Sequence, residues 1–301
     1  MSTIDAVAKH FNLEVIGSGD TEVTSVAMSS GYAGPGSLFI AVQGANGHGL
    51  EHLEDAISRG AVAVLSDRAS KAQTPQLIHP NPRQIAGELS AMVFGTNDLD
   101  LKLFGVTGTN GKTSTAIYLH RLLEQMGISS GLSSSALSLV AGEAVAGDLT
   151  TPEAPRLHWL LSEMAKSGTE AAVIEVSAQA LVRNRVDGVL FDIAGFTNLS
   201  RDHLDDFDSM QDYLSAKSRL FTNQFSKRSV INCEDQFGEE MLQLVESKAV
   251  GIGNGLDYQA QEVDGNLLVQ GKATLSASAN LGALMSKNLG LAVVMLLEAG
   301  F

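Results

Sequence analysis

The stretch that most constrains this chain is Leu101–Glu124, with the sequence LKLFGVTGTNGKTSTAIYLHRLLE. Its first residues form a short, mostly apolar run with β-formers, which predicts a buried strand over Leu101–Val106. A polar, glycine-containing turn follows over Thr107–Gly111, and after Lys112 the apolar residues recur at helical spacing. Strand, glycine loop and helix in this order are typical of a site that holds a triphosphate.

Each part of such a loop has its own chemistry. Glycines let backbone N–H groups turn toward phosphates, Lys112 can reach the β- and γ-phosphates, and the Thr113 hydroxyl can ligate Mg²⁺. The spacing departs from G-x-x-x-x-G-K-[ST], because position 106 is Val. An ordinary glycine turn before an amphipathic helix is the alternative, but Lys-Thr in register after a strand favours a nucleotide site. The predicted nucleotide-binding residues here are Gly108, Thr109, Asn110, Gly111, Lys112, Thr113 and Ser114.

Composition excludes several kinds of partner. The 301 residues are enough for two domains, and 44% hydrophobic with 18% charged residues is typical of a globular protein. The net charge of −14 argues against nucleic acid or an anionic membrane as a partner. An anionic substrate must therefore be attracted by local Lys and Arg side chains. We expect a monomer.

The chain has the features of a cytoplasmic protein. Its single cysteine, Cys233, excludes an intrachain disulfide and suits a reducing compartment. The first residues lack the basic start and apolar core of a signal peptide. The longest apolar run, Leu289–Leu297, is too short to span a bilayer.

Two α/β domains are predicted, with a boundary in the polar segment Gly95–Asp100. In residues 1–98 we predict strands over Val23–Ala27, Leu38–Val42 and Ala61–Leu65, and helices over Glu51–Arg59 and Gln84–Phe94. In residues 99–301 strands and helices alternate, which predicts a mostly parallel sheet. The elements predicted there after the glycine loop are helices over Pro155–Lys166, Ser209–Phe221, Asp235–Val245 and Ser286–Ala299, strands over Ala171–Val176, Phe191–Phe196, Ser229–Asn232 and Ala249–Ile252, and a hairpin over Tyr258–Gln270.

Candidate catalytic residues follow the strands of the second domain, where the sites of such sheets lie. Glu175–Ser177 closes one strand, Thr197–His203 follows another and includes Asp202-His203, and Thr150-Thr151-Pro152-Glu153 precedes a helix. Taken singly, each has a structural explanation as a cap, loop or surface residue. Beside a phosphate loop they gain weight, because Mg–ATP needs oxygen or imidazole ligands near the γ-phosphate.

Lys217 has two interpretations. It shares one helix face with Tyr213 and Phe221 at i, i+4 spacing. A lysine between two aromatic residues usually extends its ammonium to solvent. A lysine that faces the phosphate loop would instead take part in the chemistry.

Together these motifs resemble the Mur ligase family, and within it the MurE type. The segments that carry the resemblance, in family order and spacing, are GVTGTNGKTST, TTPEAP, EVSAQAL, RVDGVLFDIAGFTNLSRDHLD and YLSAKSRLF within residues 101–221, and more loosely VTSVAMSSGYAGPGSLFIAVQGANGHG and AISRGAVAVL in residues 1–98. The resemblance implies an N-terminal UDP-sugar-binding domain and a central ATP-binding domain. It also implies a third, C-terminal domain that this sequence lacks. We therefore expect part of a longer ligase that is inactive alone, rather than a naturally short paralogue.

The resemblance also implies roles for individual residues. Lys112 would hold the ATP phosphates, Thr113 and Glu175 would ligate one Mg²⁺, and His203 with a carbamylated Lys217 would support a second. The residues implied to contact the muramoyl-dipeptide and the uridine are Thr150, Thr151, Ser177, Arg185 and Ser29, and Asn288 would contact adenine. Departures from the family pattern fall mainly at the uridine and adenine contacts. They are Met28-Ser29-Ser30, Ala178-Gln179, Asp206-Phe207 and Leu284-Met285.

The implied activity is ATP-dependent addition of a diamino acid, either meso-diaminopimelate or lysine, to UDP-N-acetylmuramoyl-L-alanyl-D-glutamate. One alternative is a related ligase such as folylpolyglutamate synthase, which shares the loop but fits TTPE and EVSAQAL less well. Another is a nucleotide- or UDP-sugar-binding module without ligase activity. A plain kinase is disfavoured because no phosphoacceptor base motif is recognisable.

Overall fold

The computed structural model describes residues 2–44, 47–147, 149–201, 206–264, 266–272, 274–278 and 282–301. The chain divides into two compact units. The first comprises Met1–Leu99, Pro152–Glu163 and Arg183–Val189, and the second comprises Asp100–Thr151, Met164–Val182 and Leu190–Phe301. Two segments that the sequence pattern assigned to the second domain therefore pack with the first.

The elements alternate along the chain. The strands are β1 Ser2–Thr3, β2 Glu14–Ile16, β3 Glu22–Val23, β4 Ser25–Ala27, β5 Ser37–Ala41, β6 Ala61–Ser66, β7 Gln76–Ile78, β8 Lys102–Thr107, β9 Ser130–Ser133, β10 Ser138–Val140, β11 Glu143–Ala144, β12 Ala171–Glu175, β13 Phe191–Phe196, β14 Ser226–Asn232, β15 Lys248–Ile252, β16 Gln259–Val263, β17 Asn266–Gln270 and β18 Leu275–Ser278. The helices are α1 Ile4–Phe11, α2 Leu53–Ser58, α3 Pro82–Phe94, α4 Lys112–Gln125, α5 Ala154–Lys166, α6 Ala178–Val182, α7 Met210–Ser218, α8 Gln236–Leu244 and α9 Ala283–Ala299. Single 3₁₀ turns span Ser30–Tyr32, Gly49–His52 and Arg219–Phe221.

The sheet of the first unit has the strand order β2-β7-β6-β5-β4. Strands β4 to β7 are parallel, and β2 is antiparallel to β7. Side chains alternate across β5, so that Leu38 and Ile40 belong to the core formed with α1 and α3. Phe39 and Ala41 pack on the other face with residues of α2. Both faces of this small sheet are thus covered.

The sheet of the second unit has the order β11-β10-β9-β12-β8-β13-β14-β15. The six strands from β9 to β15 are parallel, and only β10 and β11 run antiparallel. Helices α4 and α9 cover one face through Leu119, Leu123, Leu291 and Met295. This confirms the predicted α/β class with a mostly parallel central sheet.

Local differences from the predicted elements have physical causes. The predicted strand Val23–Ala27 is interrupted at Thr24, which separates β3 from β4. The Thr24 N–H donates to Gly36 O (3.0 Å), outside the strand-to-strand pairing of β3 and β4. The predicted helices over Glu51–Arg59 and Ser209–Phe221 each include a 3₁₀ turn at one end. Strand β9 was missed, because its sequence SGLS has little β-propensity and is stabilised by neighbouring strands. Among the residues described, no helix is both long and apolar enough to cross a bilayer.

A buried histidine ties helix α5 to its neighbours in the first unit. His158 is 0% exposed, with Nε2 3.0 Å from Asp187 O and Nδ1 2.6 Å from Thr96 Oγ1. Because a carbonyl only accepts, Nε2 carries the proton, and the neutral ring accepts at Nδ1 from the Thr96 hydroxyl. Burial lowers the pKa of His158 from 6.5 to about 4, although its bond to Asp187 O opposes the shift.

This burial predicts an acid-sensitive fold. Between pH 6.5 and about 4 the unfolded chain binds a proton at His158 and the folded chain does not, so the free energy of unfolding falls as pH falls. The total loss is about 3 kcal/mol, at about 1.4 kcal/mol per pKa unit. The free energy of unfolding, measured by chemical denaturation at several pH values, should fall less steeply with falling pH in His158→Gln than in wild type. The exposed control His10→Gln should keep the wild-type pH dependence. The same pH dependence in His158→Gln as in wild type would refute the assignment.

Candidate active site

The centre of the second sheet brings three strand ends together. Strand β8 lies between β12 and β13 and is parallel to both. Glu175, the last residue of β12, pairs with Val106, and Phe196, the last residue of β13, pairs with Thr107. The loop after β8 therefore starts between Glu175 and the segment that follows β13, at the edge where ligands bind in such sheets.

The segment after β13 fixes the backbone of this loop. The N–H of Thr109 donates to Asn198 O (2.9 Å), and that of Asn110 donates to Asn198 Oδ1 (3.0 Å). The Thr197 hydroxyl donates to Asn110 O (2.7 Å), and Ser200 N–H donates to Thr109 Oγ1 (3.0 Å). The segment Thr197–His203 was expected at this edge from its position after a buried strand, but no individual role was predicted for Thr197, Asn198 or Ser200.

Two glycines are required by the path of the loop. Gly108 has φ +149°, and a Cβ there would overlap the Thr197 hydroxyl. Gly111 has φ +85° and precedes the first residue of α4, and a Cβ there would overlap the Asn288 side-chain amide. Asn288, predicted to contact adenine, therefore lies directly against the loop.

Helix α4 begins at Lys112, followed by Thr113 and Ser114. The first N–H groups of a helix have no partner within it and carry the positive end of its dipole. The Lys112 side chain folds back over the loop, and its Nζ donates to Thr109 O (2.9 Å). A cationic side chain and a helix N-terminus are thus placed together beside the strand ends.

Glu175 connects the start of α4 with the segment that follows strand β9. Its side chain is almost wholly buried, and Oε2 accepts from the Thr113 hydroxyl at 3.0 Å. The same oxygen accepts from the Ser135 N–H (2.9 Å) and the Ser135 hydroxyl (3.2 Å). Sequence reasoning missed Ser135, because it missed β9. A carboxylate beside two hydroxyls is an oxygen-rich donor set of the kind that Mg²⁺ prefers.

Lys217 does not extend into solvent. It is 1% exposed, and its Nζ donates to Gly108 O at 2.8 Å and lies 4.2 Å from the centre of the Tyr213 ring. The aromatic neighbour that suggested a snorkelling lysine instead contacts its ammonium. Helix α7 thereby places a second lysine on the loop.

The predicted substrate residues of the second unit lie next to Glu175. Thr151 is buried, and its hydroxyl donates to Glu175 O (2.8 Å) and accepts from Ser177 N–H (3.0 Å). The Ser177 hydroxyl accepts from Ala180 N–H (3.1 Å) at the start of α6. Thr150 is partly exposed in the preceding loop. Thr151 thus fixes two strand-end segments against each other.

The other predicted substrate residues belong to the first unit. Ser29 is exposed and precedes the 3₁₀ turn Ser30–Tyr32, after strand β4. Arg185 is buried and pairs with Glu153, its Nη2 lying 3.0 Å from Oε1. His203 lies outside the described residues. Within the described part of the chain, no three His, Cys, Asp or Glu side chains form a metal-binding group.

Comparison with known proteins places this geometry in one family. A family model described as the Mur ligase middle domain matches residues 106–292. A protein of Leifsonia xyli named UDP-N-acetylmuramyl-tripeptide synthetase is 40% identical over 97% of this chain and 60% of its own length. A UDP-N-acetylmuramoyl-L-alanyl-D-glutamate–2,6-diaminopimelate ligase of Streptomyces avermitilis is 39% identical over 81% of this chain and 50% of its own length.

A solved structure has the same fold. It is titled as a UDP-N-acetylmuramoyl-L-alanyl-D-glutamate–2,6-diaminopimelate ligase and superposes with a TM-score of 0.82 at 24% identity, over 98% of this chain and 64% of the solved one. The chain thus spans about half to two thirds of the length of these proteins. The names of these relatives do not favour the folylpolyglutamate alternative.

The loop geometry predicts that Gly108→Ala disrupts the site. A methyl group at φ +149° would be strained and would displace the Thr197 hydroxyl that also holds Asn110 O. We expect at least about a tenfold loss of Mg–ATP affinity, with the rest of the second unit still folded. Gly34→Ala is the control, since a Cβ there meets nothing within 4 Å. Calorimetric titration that finds wild-type affinity in Gly108→Ala would contradict this description of the loop.

Proposed function

Since the chain belongs to the Mur ligase family, we propose that it supplies the nucleotide- and UDP-sugar-binding parts of an ATP-dependent amide ligase of peptidoglycan precursor synthesis. The proposed acceptor is UDP-N-acetylmuramoyl-L-alanyl-D-glutamate, and the proposed donor is a diamino acid. The single observation that carries the proposal is the contact between Thr113, in the first turn of α4 directly after the loop, and the buried Glu175.

The loop supports binding of a nucleoside triphosphate. The N–H groups of Thr109 and Asn110 already hold the loop. We therefore assign the phosphates to the N–H groups at the start of α4, around Gly111, Lys112 and Thr113. The Lys112 ammonium, now 2.9 Å from Thr109 O, would move from that carbonyl to a phosphate oxygen. Asn288, beside Gly111, is placed to contact the base.

The residues present fit a magnesium ion. Thr113 and Glu175 would hold it, since the hydroxyl and the carboxylate lie 3.0 Å apart and offer hard oxygen donors. When bound, the ion neutralises charge on the β- and γ-phosphates. His203 and a carbamylated Lys217 are proposed to hold a second ion, and in this structure the Lys217 Nζ donates to Gly108 O.

The proposed reaction has two steps. The γ-carboxylate of the D-glutamate attacks the γ-phosphorus of ATP, the bond from that phosphorus to the β–γ bridging oxygen breaks, and ADP leaves. The amine then attacks the acyl carbon, a tetrahedral intermediate expels phosphate, and an amide forms with loss of a proton. The chain's part is to hold the phosphates and the carboxylate in line and to balance their charge. Contacts to the acceptor are assigned to Ser29, Thr150, Thr151, Ser177 and Arg185.

The proposal predicts that Lys112→Ala weakens Mg–ATP binding. A hydrogen bond to a charged group contributes about 1.5–3 kcal/mol, which corresponds to roughly a 10- to 150-fold loss of affinity. Lys248→Ala, an exposed lysine of the same unit, is the control. Equal affinity of wild type and Lys112→Ala in calorimetric titration would refute the nucleotide site.

The acceptor is tested by direct binding. The 301-residue chain should bind UDP-N-acetylmuramoyl-L-alanyl-D-glutamate more tightly than UDP-N-acetylmuramate. The D-glutamate places two carboxylates at the end of the dipeptide, where Arg185 can pair with them, whereas UDP-N-acetylmuramate carries only the lactyl carboxylate on the sugar. A folate, the substrate class that the name of the folylpolyglutamate alternative implies, should not bind. Binding of a folate without binding of the muramoyl-dipeptide would overturn the proposed substrate class.

A further inference from the structure

Two arginines of the first unit share one carboxylate. Glu153 accepts from Arg185 at Oε1, with Nε at 3.1 Å and Nη2 at 3.0 Å. Its other oxygen, Oε2, accepts from Arg83 Nη1 at 2.6 Å. Both carboxylate oxygens are therefore engaged, each by a different guanidinium. Arg83 had no role in the sequence-based assignment.

The backbone holds the carboxylate in place. Glu153 directly precedes α5, and its carbonyl accepts from the N–H groups of Arg156 (2.9 Å) and Leu157 (3.0 Å). A negative side chain at this position is also stabilised by the helix dipole. Arg83 is the second residue of α3, after Pro82. Two helix starts thus fix the carboxylate and one of its two cationic partners.

Sharing one carboxylate fixes the guanidinium of Arg185. The Arg185 side chain is only 8% exposed, while those of Arg83 and Glu153 are about a quarter exposed. Because Arg83 holds the second oxygen of Glu153, the carboxylate is kept from rotating away from Arg185. The planar fork of Arg185 is therefore fixed in one orientation, which favours pairing with a carboxylate of matching geometry.

We infer that Arg83 is a positioning residue for the peptide carboxylate of the acceptor, acting through Glu153 on Arg185. The inference rests on the proposed function, in which Arg185 contacts the muramoyl-dipeptide. The class of ligand that it discriminates is a UDP-muramoyl compound with a carboxylate-bearing peptide, as against the same sugar nucleotide without the peptide.

The test measures the binding of three ligands to four proteins by calorimetric titration. The proteins are the 301-residue wild type, Arg83→Ala, Arg185→Ala and the double variant. We expect Arg83→Ala to lower the affinity for UDP-N-acetylmuramoyl-L-alanyl-D-glutamate about tenfold. The affinity for UDP-N-acetylmuramate and for Mg–ATP should change less than about twofold. In the Arg185→Ala background, the Arg83→Ala change should cost nothing further, because its effect passes through Arg185.

Two further variants keep the test decisive. Arg83→Lys retains the charge without the planar fork and should show an intermediate loss with the same ligand selectivity, even if Arg83→Ala folds poorly. Arg68→Ala removes an exposed arginine of the same unit and should leave the affinities for all three ligands unchanged. Equal losses for both sugar nucleotides, or an undiminished loss in the Arg185→Ala background, would overturn the inference.

The binding of wild type distinguishes a failure of the proposed function from a failure of this inference. If wild type binds the muramoyl-dipeptide and Arg83→Ala binds it equally well, this inference alone fails. If wild type binds neither muramoyl compound, the proposed function fails and this inference fails with it.

Discussion

The hydrogen bonds between the phosphate loop and the segment after β13 are the interaction on which the site depends. Thr197 and Asn198 engage the backbone of Thr109 and Asn110 at 2.7–3.0 Å. They can do so only because β8 and β13 are parallel neighbours in register and because Gly108 has no side chain. The shape of the loop is thus a property of the sheet, and a nucleotide would meet a preformed site.

Two lysine ammonium groups donate to backbone carbonyls of the loop, and a bound phosphate could replace these carbonyls as the acceptor. Lys112 donates to Thr109 O and Lys217 donates to Gly108 O. A backbone carbonyl is a weaker acceptor for an ammonium than a charged phosphate oxygen. Glu175 is also buried, and it accepts from Thr113 and Ser135. The strands thus position both the lysines at the loop and the carboxylate at the start of α4.

The sequence predicted the elements that local patterns determine. Leu101–Val106, the loop and the start of α4 followed from apolar periodicity and from Lys-Thr after glycine, and the α/β class followed from alternation. Contacts between distant residues could not be predicted in this way. Ser135 reaches Glu175 across 40 positions, and Arg83 reaches Glu153 across 70. Residues 152–163 and 183–189 join the first unit through such contacts, as between His158 and Asp187 O. No spacing rule in a single sequence encodes them.

The central claim is that residues 108–113 and Glu175 form one Mg–nucleotide site. A crystal structure of this chain with Mg²⁺ and a non-hydrolysable ATP analogue tests it most directly. The account predicts phosphates at the N-terminus of α4, Lys112 Nζ moved from Thr109 O to a phosphate oxygen, and the metal between Thr113 Oγ1 and the Glu175 carboxylate. A nucleotide bound elsewhere, with Lys112 still on Thr109 O and Glu175 remote from the metal, would contradict it.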